Sequence, residues 1–529
     1  ALTLRGTREQ HQIELKTTGN AQSGDDRFHA LMTGGFVEDQ WLAKLEKLSY
    51  QGDKPVVMER SASLKYASDT GFQIDNLALR FTDGHVYLDQ LRSGNAQLST
   101  RGRIVNLGLK SLPNLVLPLP ANIAGNPVFS GAWDLSAENE ANGHAEFSLE
   151  NGDISIIAAD GSLRPLGLKT LMAKLQIQAN KVVINSQASG SALGDLDFEL
   201  ITRLSQTQTG LAISNDAPLE VKANAQLKTL AWLPMPESMA GASMDGQLNM
   251  TLQGSGTIAR PNFTGMAKGQ ELALMIPGEG VNLSNGVLDA TFNDNRLVIE
   301  QARFQGGEGF LTASGSLQLV QNQAELSLDW RAEKFTAVSR TDRLIIIDGD
   351  LNTALSSNLL EVTGQIEIVR GLIELASEDK PTLGDDVIVL GREAESKDNP
   401  LLMKVSDLKI GMGNSGGKFI LRGRGLDSTL TGRITLNGLP GQALRAEGSI
   451  VAAGTYMAYG QVLNIERGQL NFSGPVDNPG LNILALRQNL PVRAGVEIKG
   501  NVLNPNVKLV SIPEVSDSDK LSWLVLGHG

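Results

Sequence analysis

The chain has no cysteine, which excludes a disulfide framework and any thiolate metal site. No run of eighteen or so apolar residues occurs, so no segment qualifies as a membrane-spanning helix. Aromatic residues make up only 5% of the sequence, and apolar blocks of helical spacing are few; both argue against a string of ordinary globular domains. Basic residues are outnumbered, 46 against 58 acidic ones for a formal charge of −12. That balance removes the excess of cations that a nucleic-acid partner needs, keeps an extended particle soluble and repels anionic headgroups from the outer face.

Motifs for chemistry are also sparse. Gly411-Met-Gly-Asn-Ser-Gly416 fits the dinucleotide pattern and Gly254-Ser-Gly-Thr-Ile-Ala259 its alanine variant. The residues after each motif read as a strand or a turn, not the helix N-terminus that would meet a pyrophosphate. The five histidines, His11, His29, His85, His144 and His528, include no two at metal-ligand spacing on one element. Adjacent carboxylates at Asp25-Asp26 and Asp385-Asp386 would point to opposite faces of a strand and read as solvated turns rather than acid–base pairs. No enzyme activity, cofactor or metal is expected.

What the sequence has in quantity is glycine, 57 residues, and short runs of period two between turns. Gln247-Leu-Asn-Met-Thr-Leu-Gln253, Gln323-Ala-Glu-Leu-Ser-Leu-Asp-Trp330, Gly364-Gln-Ile-Glu-Ile-Val369 and Gly468-Gln-Leu-Asn-Phe-Ser473 each alternate apolar and polar residues. Such runs are strands with one apolar and one polar face. Degenerate copies of a longer unit recur at Gly241–Gly265, Gly125–Leu135 and Gly474–Ile483. A strand-and-turn unit that cannot bury its own apolar face must stack on its neighbours. The expectation is an all-β fold: a long, curled, repetitive sheet forming an open trough with an apolar interior and a few short helical or irregular plugs. About forty strands spaced ~4.8 Å apart give a body on the order of 200 Å long.

So much contiguous apolar surface needs a cover. Either it packs into a dry core or it lines a trough occupied by something else. The candidate lining is Leu248, Met250 and Leu252; Leu272 and Leu274; Leu326 and Leu328; Ile366 and Ile368; Ile434 and Leu436; Leu470 and Phe472; Val496 and Ile498; Val507 and Leu509. Met244, Met266 and Met275 are read as inward too, adaptable side chains that suit acyl chains and aliphatic cores alike. Arginine at Leu326 or Ile368 is expected to block such a lane without unfolding the chain, because its head can snorkel to the rim.

Val37–Leu48 carries both helical and alternating spacing around Trp41 and is read as a strand. Leu112–Pro120 and Leu230–Pro236 are proline-punctuated plugs. Residues 371–400 interrupt the rhythm with charge and are read as an excursion off the sheet edge. They separate a repetitive trough at 1–370 from a C-terminal region at 401–529.

That C-terminal region carries a resemblance. Arg422-Gly-Arg-Gly-Leu-Asp-Ser-Thr-Leu-Thr-Gly-Arg-Ile434, Gly448-Ser-Ile-Val-Ala-Ala-Gly-Thr-Tyr456, Tyr459-Gly-Gln-Val-Leu463, Arg467-Gly-Gln-Leu-Asn-Phe472, Asn478-Pro479, Gly500, Pro505, Ser511-Ile-Pro513 and Ser516-Asp-Ser-Asp-Lys-Leu-Ser-Trp-Leu-Val-Leu-Gly527 stand in that order. The succession is similar to the C-terminal region of the TamB family; the earlier strands resemble AsmA-like repeats of bridge-like lipid-transfer proteins. The resemblance implies a taco-shaped sheet in the periplasm of a Gram-negative bacterium that passes phospholipid acyl chains between the membranes. It also implies a TamA-like outer-membrane barrel partner and an inner-membrane anchor, engaged through segments expected to lie outside this chain. Two alternatives stay open: an assembly factor for outer-membrane β-barrel proteins, and a closed β-solenoid adhesin.

Overall fold

The computed structural model describes every residue except 22–23, 95–96, 113–121, 159–160, 208–209, 236–238, 240, 321–322, 376–401, 414–415 and 459. The fold is all-β. The chain divides into two compact units, Ala1–Gly269 with Phe292–Asn295, and Gln270–Thr291 with Arg296–Gly529. The division falls inside two long strands, Pro261–Ile276 and Val281–Asp294. Among the described residues no helix is long and apolar enough to cross a membrane.

In the first unit the described strands pair antiparallel, mostly with near neighbours in the chain. His11–Ala21 pairs with Gly24–Val37, which pairs with Gln40–Gln51, and the pattern continues to Ser243–Gly256. The segment around Trp41 is strand, as its alternation suggests, with Trp41 opposite Phe36. Long antiparallel hairpins are not the short stacked coils that a closed solenoid requires, so the adhesin reading loses its structural basis. The plug expected at Leu112–Pro120 lies outside the described residues apart from Leu112, which comes after a single 3-10 turn at Leu109–Ser111. Leu230–Met235 is irregular and turns inward, leaving Leu230 5% exposed.

In the second unit the pairing from Arg296–Gly306 onward is antiparallel as far as Leu359–Glu374. There the direction changes. Leu402–Met412 and Lys418–Gly423 both run parallel to Leu359–Glu374, with Leu402 beside Leu359 and Lys418 beside Arg370. A hairpin cannot make a parallel neighbour. Leu402 therefore begins beside the start of the strand that ends at Glu374. That strand takes in residues 371–374; the rest of the expected excursion, from 376, lies outside the described residues. Leu426–Gly438 then pairs antiparallel with both parallel strands, and five more strands follow, the last of them Pro505–Ile512. Pairing slips at Ala332/Phe335, Val362/Gln365, Val451/Gly454 and Ile465/Arg467. Each slip is a bulge that bends and twists its strand, which is how a sheet of this kind curls.

Two devices fix the apolar face. Large rings lie over glycines of other strands: a Cβ added at Gly306 would meet Phe335 at 2.3 Å, and one at Gly371 would meet Phe419 of the neighbouring strand at 1.9 Å. Strand tryptophans also donate to a threonine of the next strand, Trp133 to Thr100 at 3.0 Å and Trp330 to Thr353 at 2.8 Å, so the ring's one polar atom is satisfied on an apolar face. Gly371→Ala is expected to cost about 1–3 kcal/mol through overpacking. Adding Phe419→Ala should cost less in that background than alone, a coupling readable from urea midpoints; strict additivity would show that the ring does not use the glycine.

Candidate functional site: an apolar lane with an open pocket

Cross-strand register decides which side chains share a face, because neighbours along a strand alternate while partners across it match. In the second unit one face runs from Leu326 and Leu328, opposite Leu355 and Thr353, through Ile347 opposite Ile368. It continues with Ile366 beside Ile410, Ile410 opposite Ile434, and Leu436 opposite Ala446. Ile450 faces Leu470, Leu470 faces Leu481, Ile483 faces Ile498, Val496 faces Leu509 and Ile498 faces Val507. The other face is charged. Lys404 meets Glu361 at 2.9 Å, and Arg467 and Lys499 meet Glu497 at 2.9 and 3.0 Å. A hydrogen bond from Lys499, with the charge of Arg467 behind it, holds the Glu497 carboxyl below the usual carboxylate range. Ser406, then Lys404, does the same for Glu361.

Every candidate lining residue lies in a strand, but they do not share one environment. Leu248, Met250 and Leu252 belong to the first unit, opposite Leu227, Ala225 and Ala223. Leu272 is 8% exposed beside Gly286, which also receives the Phe304 ring, and Leu274 lies two residues on along the same strand. Ile368 and Ile434 sit in a packed cluster with Ala332, Phe335, Ile347, Met412, Phe419 and Ile450, and Ile366, Leu436, Leu470 and Phe472 pack against it. Here the chain's own side chains fill the lane. Arginine at Ile368, 8% exposed, would therefore bury a charge instead of snorkelling, against the expectation from sequence. Val507 on the last strand is 58% exposed. Met266 and Met275, expected inward, are 47% and 46% exposed and stand on the outer face: Met266 adjoins the buried Ala267, and Met275 lies an odd step along the strand from the buried Leu272.

Beyond the packed cluster the lane opens. A cavity of about 440 Å³ is walled mainly by aliphatic side chains, among them Leu430, Ile450, Leu470, Ile483, Val496 and Ile498, with Arg424, Ser428 and Tyr456 also on its lining. Ile450 and Ile483 were legible only through register. One end is stopped by a helix, Asp517–Val525. Its Leu524 is fully buried with Leu463, Ala485 and Ala494, and Trp523, Ile465, Val496 and Leu509 pack around them. Leu509 is thus covered by the helix, while Ile465, Ala485 and Val496 serve both helix and cavity. The Ser516 hydroxyl accepts from the Asp519 amide at 3.3 Å, a capping arrangement visible as Ser-x-x-Asp in the sequence. At the other end Arg487 donates to the carbonyls of Trp523 and Leu524 at 3.3 and 2.9 Å, and Gln461 to that of Val525 at 3.1 Å.

The two glycine motifs lie where a strand ends and the next begins: Met412 closes one strand before Lys418 opens another, and Gly256 closes one before Pro261. The described part of each linker is turn or bend, without a helix to meet a phosphate. His29 meets Glu14 at 2.9 Å and His85 meets Glu59 at 3.3 Å, and no group of three metal-ligating side chains occurs among the described residues.

Comparison with known proteins agrees with the resemblance read from the sequence and extends it forward. Residues 300–529 match the family model described as TamB C-terminal domain. Over its whole length the chain is similar to the translocation and assembly module subunit TamB of Haemophilus influenzae, 25% identical, and it spans 41% of that protein's length.

Proposed function

We propose, on the premise that residues 300–529 are a TamB C-terminal domain, that this chain is part of a lipid-transfer bridge between the inner and outer membranes of a Gram-negative bacterium. Phospholipid acyl chains lie where the apolar lane is open, beyond the packed cluster, with their headgroups at its rim. By its relative's name, the chain works in a translocation and assembly module; we place it in the periplasm, with an outer-membrane barrel of TamA type as partner and an inner-membrane anchor in the full-length protein. The observation that carries the reading is the 440 Å³ cavity. Its volume falls in the range of ligand pockets, about 300–1,000 Å³, and its wall offers mainly aliphatic surface. Such surface open to water calls for an apolar occupant.

Native mass spectrometry of the chain purified without detergent tests this. Co-purifying phospholipid, released by organic extraction in about molar amounts, is expected; bare protein under gentle conditions would remove the reading.

A second reading, assistance to outer-membrane protein assembly, is supported by the name of the relative, a translocation and assembly module subunit.

A further inference from the structure

Aromatic side chains are scarce in this chain, yet Phe36, Trp41, Tyr66 and Phe72 meet in one cavity of about 630 Å³ in the first unit, together with Arg8 and His11. Register places them at a rim. Gly6 faces His11, Val37 faces Gln40 and Ala67 faces Gly71 at three hairpin ends, and the cavity's residues lie close to those ends. They share the apolar face with Ile13, Met32 and Leu64.

The polar groups there are set in place. The indole N–H of Trp41 donates to His11 Nε2 at 2.9 Å, and His11 Nδ1 lies 3.1 Å from the Thr7 carbonyl. An indole only donates, so Nε2 accepts and the imidazole proton sits on Nδ1, facing Thr7. The two rings are parallel within 9°. The Arg8 guanidinium lies 5.5 Å over the Phe36 ring, and among the described residues no ion pair engages it. The neighbouring Glu9 carboxyl is held below its usual range by its own backbone amide, then by the Thr7 hydroxyl, with the charge of Arg8 acting in the same direction. A cation held over an aromatic wall, at the wet edge of an apolar face, matches an amphiphile with an anionic head.

We propose that this rim is a headgroup site for a phosphate-bearing lipid. The phosphate sits on Arg8, the ester region lies against Trp41 and Tyr66, and the tail runs inward along Ile13. The proposal rests on the lipid-bridge reading but can fail separately from it.

The test titrates monomeric dihexanoyl phosphatidic acid, uncharged dihexanoylglycerol and inorganic phosphate into the whole chain. The signal is the part of the tryptophan emission change that Trp41→Phe removes. Phosphatidic acid is expected to saturate that signal, dihexanoylglycerol to bind at least about tenfold more weakly, and phosphate alone to leave it unchanged. Arg8→Gln should weaken phosphatidic acid by about tenfold, the usual worth of one charge-assisted contact, while Arg8→Lys keeps most of the affinity. Equal affinity for the two lipids, an unchanged constant in Arg8→Gln, or an equal response to phosphate alone would each overturn the site. If phospholipid co-purifies but Arg8→Gln changes nothing, only the rim site falls. If phosphatidic acid binds there but no phospholipid co-purifies, only the bridge falls.

Discussion

Leu470→Arg is expected to empty the C-terminal pocket of lipid, lowering the phospholipid recovered per chain at least about tenfold, while the protein stays folded. Leu470 stands on the pocket wall between Ile450 and Leu481 and is only half-buried. A guanidinium placed there can lift its head to the cavity mouth and drape its methylenes over the wall, so the cost to stability stays at about 1–2 kcal/mol. Acyl chains lose their surface and meet a charge. Arginine at Ile368 makes the control. That side chain lies inside the packed cluster, and a charge there has no route to water, so a loss on the order of 4 kcal/mol or more is expected. Extraction with lipid mass analysis, paired with urea midpoints, separates the two variants. Wild-type lipid content in folded Leu470→Arg would show that the pocket is not where lipid sits.

Leu524→Asp is expected to release the C-terminal helix. Nine residues cannot hold a helix alone in water, so Asp517–Val525 depends on its docking. That docking rests on the fully buried Leu524, on Trp523 packed beside it, and on the side chains of Arg487 and Gln461 that take up the helix's last carbonyls. Truncating such a leucine typically costs about 2–5 kcal/mol, and a carboxylate in its place adds the penalty of an unpaired buried charge. Amide exchange in residues 517–525 should approach the rate of an unfolded peptide, while the strand Gln461–Pro475 keeps its protection. The same variant uncovers Ile465, Ala485 and Val496, so lipid bound in the pocket should leave faster. Retained protection across 517–525 would mean that other contacts hold the helix.

The alternation of Gln323–Trp330 or Gly468–Ser473 carried most of the architecture, because a period of two leaves little choice of structure and fixes which side chains face together. Parity also failed where pairing slips. Met266 and Met275 belong to one long strand on which Glu271, at a φ of 52°, sits between inward Phe263 and inward Leu272, and no composition signal marks such an irregularity. The parallel return after Glu374 was hidden for another reason: its cause is a connection, and the strands on either side look like any other pair. The C-terminal helix had a legible cap in Ser516-Asp-Ser-Asp519, but at nine residues its apolar pattern does not separate helix from strand. Whether Ile368 packs and Leu470 lines a space depends on how neighbouring strands fill the curl, which an alternating sequence does not encode. The rim cavity combines residues from six strands, so His11 and Trp41 looked unrelated in the chain.

A photo-crosslinking amino acid placed in turn at Gln469, Leu470 and Asn471, and again at Ile498 and Lys499, tests the lane most directly. Leu470 and Ile498 face the pocket, while the other three point to the outer face. Phospholipid adducts at Leu470 and Ile498 alone, with outward neighbours unlabelled, are the predicted result; adducts spread evenly over both faces, or none at the inward positions, would contradict it.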